Sequence, residues 1–189
     1  EYKGLYQLHN LGGGTAKTVF ASIISRYQDP DGDLGISDEG WEIAAKFLGN
    51  AHNIADGEDA VGSVIDGTYP MDEHWASGVL TEQKDRDYKF QIMTPDIGEP
   101  YVVESLAISA GTKKYDTCVA FLNWLGSSDV QLDWSNNYGT IPCQKEALDQ
   151  VSDDIKELME TLKPQDLDWS FIAENVDAWV EKAELEYVQ

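Results

Sequence analysis

Residues 4–27 hold the arrangement that most constrains the fold: a short apolar strand, a run of three glycines, and a helix with one apolar face. Gly4 to Leu8 reads as the strand, and Gly12, Gly13 and Gly14 form the turn. Val19, Phe20, Ile23, Ile24 and Tyr27 recur at helical spacing, so residues 16–27 are predicted to be an amphipathic helix with Thr15 as its N-cap. The alternation continues beyond it. A Pro/Gly/Asp-rich turn is expected over 29–37, and a helix capped by Ser37 or Asp38 is expected to end near Gly49. The apolar run AVGSVI (60–65) reads as a buried strand ending at Asp66, with a turn through Gly67 and Pro70 after it. Residues 71–83 read as a helix carrying Trp75, and 90–93 and 101–109 read as strands. Helices are predicted over 115–125, 129–136, 145–162 and 169–187, with Lys163-Pro164 as a stop and Thr140-Ile141-Pro142 extended. Alternating strands and helices predict an α/β fold with parallel pairing.

The composition limits the function classes. The chain has 189 residues, 42 % of them apolar, enough for one core or two small ones. Six Trp, nine Tyr and five Phe are too many for a disordered acidic tail. Thirteen basic and 35 acidic side chains leave a formal charge of −22. Nucleic acid and anionic membrane surfaces attract the opposite sign, so neither is an expected partner. No apolar run is long enough to span a bilayer. The start at Glu1, with neither Met nor an apolar leader, reads as that of a processed or cut product. Cys118 and Cys143 read as separate thiols, outside any CxxC spacing.

Few local motifs carry chemistry. GGGTAKT (12–18) departs from a P-loop, because Thr15 and Ala16 intervene between the last glycine and Lys17. What remains is a glycine-rich helix start whose N–H groups suit an anion; a flexible turn ahead of a helix explains it equally well. His9, His52 and His74 sit in no helix-spaced ligand pair and no hydrolase motif, so no catalytic or metal-ligating role is expected of them. Asp29, Asp31 and Asp33 begin like a calcium loop, but Leu34 and Gly40 occupy the sixth and twelfth positions, where Gly and Glu belong. Asp66, Tyr69 and Trp75 follow the expected strand closely, where ligand clefts open in parallel sheets.

The order of these segments resembles the extracellular solute-binding proteins that deliver ligands to ABC importers, in the branch of iron, polyamine and aminophosphonate binders. The stretches that carry the resemblance are GGGTAKTVFASIISRYQDPDGDLGISDEGWE (12–42), DGEDAVGSVIDGTY (56–69), EPYVVESLAISAGTKKYDTCVAFLNWLGSSDVQ (99–131) and YGTIPCQKEAL (138–148). The resemblance implies a three-layer α/β/α lobe of the type II periplasmic-binding-protein kind with extra C-terminal helices. It implies that 1–102 form lobe two, that 103–141 cross back to lobe one, and that 142–189 return to lobe two as helices. Lobe one, and the lipoprotein signal expected to anchor the protein outside the cytoplasm or in the periplasm, would then precede this chain. The apolar residues Val119, Phe121, Leu122 and Leu125 of the 115–125 helix would lack their sheet.

The resemblance further implies a small polar solute as ligand, ABC permease subunits as partners, and no cofactor. Carried over by position, the ligand contacts are Gly13, Gly14 and Thr15; Asp66, Thr68 and Tyr69, with Trp75 beyond; and Glu104 and Ser105. Ferric members carry adjacent tyrosines, whereas Tyr69 stands alone between Thr68 and Pro70, which speaks against iron. Two other classes compete with a binding module: a hydrolase working through carboxylates, and a domain stabilised by calcium at Asp29–Asp33.

Overall fold

The computed structural model describes residues 2–188. The chain divides into two compact units, Glu1–His74 with Asp166–Gln189, and Trp75–Gln165.

In the first unit β1 (Tyr6–Leu8) runs through the glycine turn into α1 (Gly14–Ile24). Gly13, not Thr15, is the N-cap; no side chain caps this end, and Thr15 lies inside the first turn. The acidic 28–33 segment is a strand, β2 (Gln28–Asp33), not an open turn. It folds back on Ile36 through antiparallel bridges at Gln28 and Asp33, with Leu34 (φ 52°) and Gly35 (φ 75°) turning the corner. Ser37 then caps α2 (Asp38–Gly49), its hydroxyl accepting from the Gly40 N–H. Only glycine fits at 40, because a Cβ there would stand 2.5 Å from Ile36 Cγ2 and 2.6 Å from Tyr27 Cβ. Next come β3 (His52–Asn53), α3 (Ala60–Asp66) and β4 (Met71–Asp72). The sheet order is β3-β1-β4, all parallel, which is the α/β class expected from the sequence.

Residues 60–66 are helical where the sequence reads as a strand. A run this short has no periodicity to decide the matter, and the caps decide it instead. Asp59 accepts from the Gly62 N–H at 3.0 Å, and Gly67 closes the helix in the left-handed region at φ 80°.

The core of this unit lies where α1, α2 and the C-terminal helix (Trp169–Glu186) meet. Phe20, Ile24, Ala44 and Trp179 are fully buried there. Each large side chain contributes about 1.5–3 kcal/mol by leaving water. The indole N–H of Trp41 donates to Asp33 O, and that of Trp179 to Leu34 O. The β2 hairpin is thereby pinned onto both tryptophans, whose indole N–H groups are both satisfied.

The second unit is helical: α4 (Ala76–Arg86), α5 (Tyr115–Leu125), α6 (Ser128–Tyr138), α7 (Lys145–Leu148) and α8 (Asp153–Thr161). The helix expected over 71–83 is therefore split into β4 and α4, with Trp75 as the N-cap between them. The single helix expected over 145–162 is broken around Val151, which turns inward and is buried with Ala147, Ile155 and Leu158. Neither 90–93 nor 101–109 forms a strand; Tyr101, Val102, Val103 and Leu106 are exposed. Their β-branched and apolar character favours strand, but a strand also needs a neighbouring edge, and none pairs with them. Helix α5 buries no residue fully, and Phe121 and Trp124 stand about half exposed on it.

Candidate functional site

Parallel pairing brings the C-terminal ends of β1, β3 and β4 to one edge of the sheet, the edge where α/β folds open their clefts. Three features lie beyond these strand ends.

The first is the glycine loop after β1. Asn10 organises it: its Oδ1 accepts from the Gly12 N–H at 2.7 Å, and its carbonyl accepts from the Gly13 N–H at 2.9 Å. Gly13 and Gly14 are exposed, and Thr15 is half-buried at the start of α1. The amides of Gly12 and Gly13 are thus used within the loop and are not open to an anion.

The second is an open groove of about 370 Å³, lined by His52, Glu58, Asp59, Gly62, Ser63, Asp66, Thr68 and Tyr69. It brings Asp66, Thr68 and Tyr69 together, as their proximity in sequence suggests. The residues 59, 62, 63 and 66 share one face of α3 at helical spacing. His52 at β3 stacks on Tyr69, with ring centroids 4.2 Å apart and planes 5° from parallel. Its Nε2 lies 2.8 Å from Glu58 Oε2, which also accepts from the Ala55 N–H. Those hydrogen bonds, the backbone one first, hold the Glu58 carboxyl below its ordinary range. The Thr68 hydroxyl and N–H do the same for Asp66. The groove therefore presents ionised carboxylates beside an aromatic pair, a lining that suits a cationic nitrogen.

The third is a set of polar side chains packed at the ends of β1 and β4: His9, Asp72, Glu73 and His74. The His9 N–H donates to Glu73 Oε1 at 3.2 Å. Asp72 Oδ1 lies 4.0 Å from His9 Nε2, and its Oδ2 lies 3.9 Å from His74 Nδ1. Burial pushes the Asp72 carboxyl up to about 6, against the lowering pull of His9. Burial also pushes Glu73 up to about 7, and the neighbouring Asp72 adds to the rise. One donor atom from each of His9, Asp72 and His74 falls within 4.8 Å of the others, the one such metal-ligating group among the described residues. Sequence reasoning missed this cluster. The pair of histidines is 65 residues apart in the chain (74 − 9), and only the β1–β4 register joins them.

The remaining expected contacts stand elsewhere. Gly13, Gly14 and Thr15 are not among the residues lining the groove. Trp75, Glu104 and Ser105 belong to the second unit, where all three are exposed. Asp29 accepts from the Asp31 N–H, and Asp33 pairs with Lys182 at 3.3 Å, so these carboxylates serve the hairpin and are not gathered around a calcium position. Cys118 and Cys143 are free thiols. No helix among the described residues is long and apolar enough to cross a membrane.

Residues 4–163 match the family described as bacterial extracellular solute-binding protein. All 189 residues align, at 32 % identity, with 52 % of a probable ABC transporter periplasmic-binding protein, y4fP, from Sinorhizobium fredii (strain NBRC 101917 / NGR234). The chain thus spans about half the length of the curated relative it matches. No solved structure matches it significantly.

Proposed function

The chain belongs to the bacterial extracellular solute-binding protein family, and from that premise we propose that it is part of the substrate-binding component of an ABC transporter. Such a component captures a small polar solute outside the cytoplasm and hands it to permease subunits, without altering it and held at the membrane by a lipid anchor. The observation that carries this reading is the alignment of every residue with a periplasmic-binding protein of that transporter class. A non-catalytic role is supported by the groove's chemistry. The Ser63 hydroxyl donates to the Asp59 carbonyl, the Thr68 hydroxyl holds Asp66, and the imidazole is engaged by Glu58 and Tyr69, so none of these hydroxyls meets the histidine as a base.

The solute carries both an amine and an acidic group in this proposal. Glu58, Asp59, Asp66 and Tyr69 receive the cationic nitrogen in the groove, with Thr68 holding Asp66 in place. Gly14 and Thr15 receive a carboxylate or phosph(on)ate at the start of α1, with Gly13, whose N–H is held by Asn10, shaping the turn that presents them. Trp75, Glu104 and Ser105 are further proposed contacts, and 103–141 is proposed as the segment that crosses to the other lobe of the whole protein.

Calorimetry of the protein at its full encoded length tests this against aminophosphonates, diamines and sugar phosphates. One saturable binding event with an amine-bearing solute, weakened at least ~10-fold by Asp66→Ala, is the expected result; a loss of 1.4 kcal/mol corresponds to that factor. Heat from no solute of any class, or turnover of the solute, would overturn it.

A further inference from the structure

We propose that His9, Asp72 and His74 form a binding site for one divalent first-row transition-metal ion of zinc's class, at the C-terminal end of the sheet. The proposal goes beyond solute binding and does not depend on which solute the groove takes.

The register of the sheet builds the site. In the β1–β4 pair, Tyr6 stands opposite Met71 and Gln7 opposite Asp72. Continuing that register sets His9 opposite His74. Alternation along a strand then places Asp72 and His74 on one face, and parallel partners share a face, so His9 joins them. Glu73 points to the other face, where its Oε1 accepts from the His9 N–H and helps fix the position of His9. Asp72 closes β4, and His9 and His74 lie one and two residues beyond the ends of β1 and β4.

The state of Asp72 is the second observation. Its side chain is 7 % exposed, and neither carboxylate oxygen has a donor in good hydrogen-bonding geometry, the Glu73 N–H only partly offsetting the burial. Buried carboxylates without donors are costly and therefore rare. His9 Nε2, which faces Asp72 Oδ1, is likewise buried at the atom and has no hydrogen-bond partner. The two imidazole nitrogens stand 3.9 and 4.0 Å from the carboxylate oxygens, beyond hydrogen-bond range. A cation between them resolves all of this at once. Zinc bonds of about 2.0–2.2 Å to nitrogen and oxygen set tetrahedral donor atoms roughly 3.3 Å apart, and the donor atoms here lie within 4.8 Å of one another, so no pair needs to close by more than about 1.5 Å. Two imidazoles and one carboxylate are the donor set of borderline transition ions rather than of calcium or magnesium, which take oxygen. Three protein donors leave a position open to water or to a solute oxygen.

The test uses tag-free chain stripped with chelator, in excess magnesium so that the 35 acidic side chains hold no loose transition metal. Co2+ is added and followed by its visible absorption, then displaced by Zn2+, with equilibrium dialysis giving the stoichiometry. The expected result is one ion per chain at micromolar metal, with the absorption of a nitrogen- and oxygen-ligated ion of low coordination number. Asp72→Asn and His74→Ala should each weaken binding at least ~10-fold, and His52→Ala, outside the cluster, should leave it unchanged. His9 is the most exposed of the three, so His9→Ala serves as the variant that keeps the fold, checked by circular dichroism. No ion at one per chain, or equal retention by the His9→Ala and His52→Ala variants, would overturn the proposal.

Discussion

The two units differ in where they place tryptophan: the first encloses Trp41 and Trp179, leaving Trp169 exposed at the start of its last helix, and the second encloses none. In the first, Trp41 and Trp179 are buried, and each indole N–H donates to a carbonyl of the β2 hairpin. In the second, Trp124 and Trp134 lie about half exposed, each against one aromatic neighbour, Phe121 and Tyr138, on its own helix. The same residue type thus closes a core in one region and leaves an apolar surface in the other. The difference teaches that the core closed by tryptophan lies in the first unit, while the apolar side chains buried in the second are the smaller Ala147, Val151, Ile155 and Leu158. The second contains apolar faces that its own helices do not cover. Trp179→Ala is the largest test of that contrast. It should cost ~3–5 kcal/mol in urea denaturation, because it empties a fully enclosed site and strands the Leu34 carbonyl. A loss under about 1 kcal/mol would mean that the first unit has no such core.

A second test probes the polar part of the same unit. In the folded chain Asp72 titrates at about 6 and Glu73 at about 7, against 3.8 and 4.5 for the free side chains. Between those values the native state holds protons that the unfolded chain has released. Stability of the metal-free chain should therefore rise as pH falls from about 8 to about 5, where these two are protonated only when folded. The gain should be on the order of 1–2 kcal/mol, less than the pKa differences alone imply, because water reaches part of both groups. His9 and His74 face Asp72, so Glu73→Gln is the informative control. That variant should flatten the slope of urea midpoint against pH. An unchanged slope would remove Glu73 as its source.

Helix α3 supplies a smaller effect. Asp59→Ala removes the oxygen that accepts from the Gly62 N–H and should cost about 1 kcal/mol, read as a lowered denaturation midpoint. The same helix shows what was legible in the sequence and what was not. Helix α2 and the helix Trp169–Glu186 could be read because apolar positions recur at helical spacing over 12 and 18 residues. AVGSVI is too short for that, and its caps at Asp59 and Gly67 were the overlooked signal. Asp66, Thr68 and Tyr69 share a groove because four residues of chain hold them together. His9 and His74 gather only through the pairing of two strands, and no local spacing encodes a register. Residues 101–109 erred the other way. Their apolar character was legible, but whether an edge is present to pair with them is a property of the surroundings.

The smallest expected effect bears most directly on the contrast between the units. Phe121 is 51 % and Trp124 is 54 % exposed on α5, with ring centroids 5.7 Å apart. Trp124→Ala should change the stability of the 189-residue chain by less than about 0.5 kcal/mol, since little area returns to water and only one ring contact is lost. The same substitution in the protein at its full encoded length separates two origins of the exposed face. If the 103–141 segment crosses to a second lobe, the indole is enclosed there and its removal should cost several-fold more, about 2 kcal/mol or above. Equal and negligible costs in both forms would mean that α5 meets solvent in the whole protein, and the crossing assignment would fall with that result. A large cost in the 189-residue chain alone would instead show that the second unit buries this face by itself, and the contrast with Trp179 would disappear.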